Sequence, residues 1–248
     1  MKKMATVFLC IIISIFSIST PFAAEDDYKM AYSTVFPDGY TSPENAKVVF
    51  LTFDDGPTKY TPQIIEILNR HDVPATFFVV GNTEYTHYMG EIIENGHAIG
   101  LHSYDHNFEQ IYSSREAFFN DLQKIDDIVF DETGIRSMIM RFPGGSSVER
   151  GATKAMMNQL KKDVTEKGYQ FFDWNCDSAD ARGVNSSGGA ISKIKAMEKE
   201  AGDIVIVLMH DTKEITTEYL PDVIEYFKAQ GYAFLPLCLN SPAIHHTW

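Results

Sequence analysis

Two hydrophobic rhythms take turns along residues 47–248. Short, nearly unbroken apolar runs fall at residues 48–53, 75–80, 98–101, 138–142, 170–175, 204–209 and 233–237. Runs of that length without a polar face suit strands covered on both sides. Between them the spacing is helical. Thr61 and Pro62 suit a cap followed by a first-turn proline, with Ile64, Ile65 and Leu68 on one face. Ser113 and Glu116 have capping-box spacing, and Phe118, Leu122, Ile125 and Val129 then recur at helical intervals as far as Gly134. The stretches "NGHAIG", "KGYQFF" and "QGYAFL" each set a glycine just before an apolar run, which suits a left-handed helix cap feeding a strand. Strand and helix alternate over most of the chain, so the expected fold class is α/β with a mostly parallel sheet. A closed or nearly closed barrel and an open doubly wound sheet both satisfy the pattern. In either, chemistry belongs at the carboxyl ends of the strands.

Residues 1–24 have a different character: Lys2 and Lys3, an apolar stretch over about residues 5–18, then Pro21, Ala23 and Ala24. That is the layout of a signal peptide, too short for a comfortable membrane span. The expected location is therefore secreted or cell envelope. Cleavage after Ala24 would leave Phe22 where a small side chain is favoured, so retention by an uncleaved N-terminal anchor is the alternative. Residues 25–46 are polar and aperiodic, a linker or an N-terminal strap, which leaves 47–248 as the folded domain. A chain of 248 residues has little room for a second large one. The formal net charge is −13, and loss of residues 1–24 removes two lysines and no acids to give −15. Such a surface argues against holding nucleic acid or an anionic membrane through phosphates. Cys176 and Cys238 would remain, free to pair or to be buried as small apolar groups. No obligate protein partner is indicated, and a monomer is expected.

Composition changes the picture less than the placing of polar residues does. Five of the seven apolar runs end in groups that a core cannot use: Asp54 and Asp55, His102 and His106, Arg141, Asp177 and Asp180, His210 and Asp211. Singly, an acid pair is a turn former and a histidine a hydrogen-bonded structural residue. Together on one rim they suggest a site. His71 and His97 fall at the opposite rim, His87 in a helix, and His245 and His246 in a tail expected to fray, so these five are assigned structural roles. In "HSYDH", His102 and His106 are spaced to reach one cation. One carboxylate from another strand would complete the two-histidine, one-acid set of catalytic zinc. Adjacent aspartates can then divide the work, one binding metal and the other taking a proton from the attacking water. A regular strand points neighbours to opposite faces. The strand must therefore end or bulge here, and Gly56–Pro57 supplies a break.

In their order and spacing, "TFDDGP", "HSYDH", "RFPGG", "WNCDSAD" and "LMHD" resemble the motifs of the polysaccharide deacetylase family, also known as the NodB homology group or carbohydrate esterase family 4. The resemblance spans roughly residues 47–238 and implies a distorted (β/α) barrel with about seven parallel strands. It implies that Asp55, His102 and His106 hold the metal and that Asp54 is the general base. Ser103 matches the residue that braces the histidine loop, Arg141 the one that orients the base, and Asp180 the acid that tunes His210, the general acid. Leu208 matches a residue lining the acetyl-methyl pocket, and the Gly144 N–H one that stabilises an oxyanion. The implied cofactor is one divalent metal ion, zinc first, with cobalt and nickel suited to the same ligands. The implied reaction is metal-dependent removal of N-acetyl groups from the amino sugars of a polysaccharide, peptidoglycan first because export would place the protein beside it. Alternatives are an O-acetyl polysaccharide (acetylxylan-type) esterase, a chitooligosaccharide deacetylase, and a non-catalytic glycan-binding homologue. Two departures stand out: Gly144 follows Pro143 and Ala181 follows Asp180, where the family usually has aromatic residues. The metal chemistry is expected to persist in a roomier cleft stripped of both aromatic walls.

Overall fold

The computed structural model of the protein describes residues 47–248. The expected signal peptide (1–24) and linker or strap (25–46) lie outside the described residues. The elements run β1 (Val48–Asp54), α1 (Thr61–His71), β2 (Thr76–Val80), α2 (Tyr88–Glu94), β3 (Ala98–Ser103), α3 (Phe108–Ile111), α4 (Arg115–Thr133), β4 (Ile139–Met140), α5 (Lys154–Glu166), β5 (Gln170–Phe171), β6 (Cys176–Asp177), α6 (Ser187–Ala201), β7 (Ile204–His210), α7 (Glu214–Ala229) and β8 (Ala233–Phe234). The strands form one parallel sheet in the order β5-β4-β3-β2-β1-β7-β6, and β8 pairs with the start of β1 at Val48 and Val49. The expected run at 170–175 is in fact two short strands. Only residues 172–175 separate β5 from β6, yet these strands are the two ends of the hydrogen-bonded path. So short a link reaches roughly 18 Å at most, so the sheet curls until its edges approach. This is the distorted, incompletely closed (β/α) barrel expected from the motifs.

The curl sorts side chains by the two-residue period of a strand. Val49, Leu51 and Phe53 of β1 join the larger core beneath the helices, with Val205, Val207 and Met209 of β7. Val48, Phe50 and Ile206 point the other way, into a smaller core with Phe78, Ile139, Phe172 and Leu237. Thr52 and Asp54 continue the inner row of β1, and Leu208 and His210 that of β7. The two rows are in register, Thr52 beside Leu208 and Asp54 beside His210. The inner space is therefore apolar at its base and polar at its carboxyl rim.

The helices close the outer face as their spacing predicts. α1 buries Ile64, Ile65, Ile67 and Leu68, each worth about 1.5–3 kcal/mol relative to exposure. α4 buries Phe118, Leu122, Ile125 and Val129 and stops at Gly134, which sits at φ 72. Two caps differ by one residue from expectation. Ser114, not Ser113, accepts from the Ala117 N–H at 3.0 Å. Thr61 begins the helix rather than capping it, and its hydroxyl donates to Asp211 Oδ2 at 2.6 Å. Cys176 and Cys238 are free, buried thiols. The C-terminal tail is docked rather than frayed: Asp173 N donates to Ile244 O at 2.9 Å, and the His246 N–H donates to Asp173 Oδ2 at 2.6 Å. No described helix is long and apolar enough to cross a membrane.

Candidate active site

Asp55, His102 and His106 come together at the rim, each offering a ligand atom within 4.8 Å of the others. Asp55 Oδ1 lies 3.4 Å from His102 Nε2 and 3.2 Å from His106 Nε2. The break expected at Gly56–Pro57 falls one residue earlier: Asp55 itself is left-handed, at φ 71. That turn lets both neighbouring carboxylates reach one cavity. His106, at φ 57, is left-handed too. Non-glycine residues in this region are strained and gather at functional sites. The loop carrying His106 is tied to α4, because Asp121 accepts from Ser103 Oγ at 2.7 Å and from the Tyr104 N–H at 2.9 Å. Ser103 Oγ in turn accepts the His106 N–H at 2.9 Å. His102 Nδ1 meets the Arg141 carbonyl at 2.8 Å, which makes Nδ1 the donor and leaves Nε2 as a lone-pair ligand.

These residues fit a divalent metal. Asp55 Oδ1 is buried with no hydrogen-bond partner among the described residues, and it faces two imidazole nitrogens. A buried oxygen left so is costly without a cation. Burial opposes ionisation of Asp55, but the His102 imidazole, with His106 and His210 adding, holds its carboxyl well below the usual range.

Arg141 fills the layer beneath. Fully buried, it donates to Asp54 Oδ1 at 2.7 Å, to Thr52 Oγ1 at 2.8 Å and to the Phe172 and Asp173 carbonyls. Its guanidinium also lies 4.2 Å over the Phe78 ring. A buried cation so placed fixes Asp54 through one oxygen, and the other, Oδ2, lies 3.9 Å from His102 Nε2. Across the rim, His210 Nδ1 meets Asp180 Oδ1 at 2.7 Å. Asp180 Oδ2 accepts from Tyr219 OH at 2.7 Å, Thr216 Oγ1 at 3.0 Å and the His210 N–H at 2.9 Å. Burial disfavours the imidazolium, but the Asp180 hydrogen bond and the charges of Asp54, Asp180 and Asp55 raise the pKa of His210 overall. Asp211, beside it, is pushed up to about 7 by burial, with the charges of Asp55 and Asp54 adding.

A cavity of about 420 Å³ opens on these groups, lined also by Phe108, Gly144, Trp174 and Leu208. The expected loss of aromatic walls is thus corrected. Gly144 sits at φ 78, and a Cβ there would lie 2.8 Å from Phe108 Cε1. Phe108 occupies the space that a side chain at 144 would claim, and its ring meets His106 edge-on at 5.2 Å. The Gly144 N–H has no partner among the described residues.

Sequence spacing identified the metal-facing and proton-transfer groups of the rim but missed the lining arginines Arg150 and Arg182 and the supports Asp121, Thr216, Tyr219, Phe108 and Asp173. Asp121 and Tyr219 lie inside helices, where nothing local separates them from surface or core positions. Phe108, two residues beyond the histidine pair, was the one with a visible signal. His97, His71 and His87 stay out of the cavity, as expected.

A curled parallel sheet with two histidines, a carboxylate, an arginine-held acid and an acid-held imidazole on its carboxyl rim defines an α/β enzyme of the hydrolytic, metal-ready kind. A family model described as polysaccharide deacetylase matches residues 41–169. The chain belongs to the polysaccharide deacetylase family. It is 29% identical over 217 residues to a peptidoglycan-N-acetylglucosamine deacetylase of Bacillus cereus, a match covering 85% of this chain and 76% of that one. It is 34% identical over 195 residues to the peptidoglycan-N-acetylglucosamine deacetylase PgdA of Listeria monocytogenes, covering 77% of this chain and 38% of that much longer protein. Among solved structures, the catalytic domain of the peptidoglycan N-acetylglucosamine deacetylase from Eubacterium rectale superposes with a TM-score of 0.78 at 38% identity, covering 81% of this chain and 93% of that one.

Proposed function

We propose that the protein removes N-acetyl groups from the amino sugars of peptidoglycan, with a divalent metal, zinc first, held by Asp55, His102 and His106. The observation that carries this is the division of labour between adjacent aspartates: Asp55 faces the histidine pair, while Arg141 holds Asp54 by Oδ1. When bound, the ion would supply Lewis acidity, polarising the acetamide carbonyl and making a water acidic, worth several kcal/mol. Asp54, anchored through Oδ1, takes the proton of the attacking water on Oδ2. The unpaired Gly144 N–H stabilises negative charge developing on the carbonyl oxygen. His210 keeps Nδ1 on Asp180, so Nε2 is left to give a proton to the departing nitrogen, which leaves poorly as an anion. Leu208 and Trp174 line the cavity and exclude water around the acetyl group. The relatives' substrates and the export signal read in residues 1–24 both support peptidoglycan, met outside the membrane.

The test is acetate release from N-acetylated glycans by the purified, zinc-loaded protein. Asp54→Asn is expected to lower kcat by about 10²- to 10⁴-fold. Metal-independent release, no release from any such glycan, or an Asp54→Asn protein as active as wild type would overturn the proposal.

A further inference from the structure

The cavity also holds a cation that the proposed reaction does not use. Arg150 and Arg182 both line it, in a chain of net charge −13. Arg182 is engaged in an ion pair with Asp177. Arg150 has no ion-pair partner among the described residues. Instead its guanidinium carbon lies 4.8 Å over the ring of Phe108, the ring that meets His106 at 5.2 Å. These two distances place the guanidinium within about 10 Å of the His106 ring, a reach comparable to one or two sugar rings.

The placement is built into the backbone. Gly151 adopts φ 72, and a Cβ there would lie 2.5 Å from the Phe108 carbonyl oxygen. Only glycine lets the chain after Arg150 lie that close. Gly144 makes the equivalent allowance on the ring itself, so two glycines of the one connection between β4 and α5 pack against Phe108 and set Arg150 on it. A guanidinium stacked on an aromatic face keeps its in-plane N–H donors free, in the fork geometry that matches a carboxylate. Most of the cavity's other charged groups are acidic or already paired, so among the described residues Arg150 is the lining arginine that an arriving anion finds outside any ion pair.

We propose that Arg150 is a specificity-determining residue that reads a carboxylate on the glycan near the acetamide being cleaved, and so favours an anionic amino-sugar polymer over a neutral one. The inference rests on the deacetylase reading above and refines its substrate. Two parts of peptidoglycan offer that carboxylate: the lactyl ether of a muramyl sugar when it is free, and the acidic side chains and terminus of an attached peptide when the lactyl group is amidated. Neutral chitooligosaccharides offer neither.

The experiment compares kcat/KM of the zinc-loaded protein on peptide-free strands of alternating N-acetylglucosamine and N-acetylmuramic acid, on the same strands with peptides attached, and on chitooligosaccharides. The readout is the ratio of each anionic substrate to the neutral one. Arg150→Gln is expected to lower that ratio about tenfold, mainly through KM, with Arg150→Lys intermediate. Added salt should shrink the wild-type ratio towards the Arg150→Gln value. A fall on the peptide-free strands identifies the lactyl carboxylate, and a fall confined to the peptide-bearing strands identifies the peptide. An unchanged ratio in Arg150→Gln overturns the inference, whether the variant slows all three substrates equally or none. Absence of acetate release by wild type from every substrate is a different result and sinks the deacetylase reading itself. Arg150 is exposed, so an unchanged melting temperature is expected to show that the variants fold.

Discussion

The turn that brings Asp55 to the histidine pair leaves no room for a side chain on the next residue. A Cβ on Gly56 would lie 1.9 Å from Asp211 Oδ2. That carboxyl cannot easily retreat, since Thr61 Oγ1 donates to it at 2.6 Å and its surroundings are fully buried. Gly56→Ala is therefore expected to destabilise the fold by about 1–3 kcal/mol through overpacking. Asp211→Ala in the same chain should relieve part of that clash. Urea unfolding of both single variants and the double variant checks it, and strictly additive effects would exclude the contact as the cause. "DDGP" announced a turn, but the identity of the group that forbids a methyl at 56 is invisible locally, because Asp211 arrives from the end of another strand.

Among the elements, α4 does more than cover the sheet. Its Asp121 accepts from Ser103 Oγ and the Tyr104 N–H, and so holds the left-handed loop that delivers His106. If Asp55, His102 and His106 hold a divalent metal as proposed, Asp121→Ala is expected to weaken its binding by about 10- to 100-fold, the usual cost of removing a support of metal ligands. Isothermal titration of the metal-free protein reads this directly, and an unchanged affinity would show that the loop holds its shape alone. The histidine spacing was plain from "HSYDH". The brace was not, because an aspartate in an amphipathic helix looks like any solvated charge until the helix is laid against β3. The strand at 170–175 shows the converse limit: apolar content marked the segment, but only the curl of the sheet breaks it into β5 and β6.

For the molecule as a whole, burial of His97 sets a limit on stability in acid. It is 4% exposed, and neither ring nitrogen has a hydrogen-bond partner among the described residues. Burial lowers its pKa from 6.5 to about 4. Between those values the unfolded chain binds a proton that the folded chain refuses, so stability falls as pH drops through that window and is unaffected above it. The contribution approaches about 3 kcal/mol at the acid end. His97→Phe should reduce the stability lost between pH 7.5 and 4.5 by roughly that amount, as measured by denaturant unfolding. An identical loss in both proteins would mean that the folded state protonates His97 at no cost.

Strand runs, helix faces, glycine caps and the row of polar strand ends were all legible along the chain, because side-chain period and turn chemistry act over a few residues. From them came the parallel α/β class and the rim on which Asp54, Asp55, His102, His106, Arg141, Asp180 and His210 meet. Folding alone settled which of those groups touch, which oxygen of Asp54 Arg141 holds, and that Phe108 takes the place of an absent side chain at Gly144. Such pairings depend on distances across a curled sheet, between residues far apart in the chain, and no local periodicity encodes them.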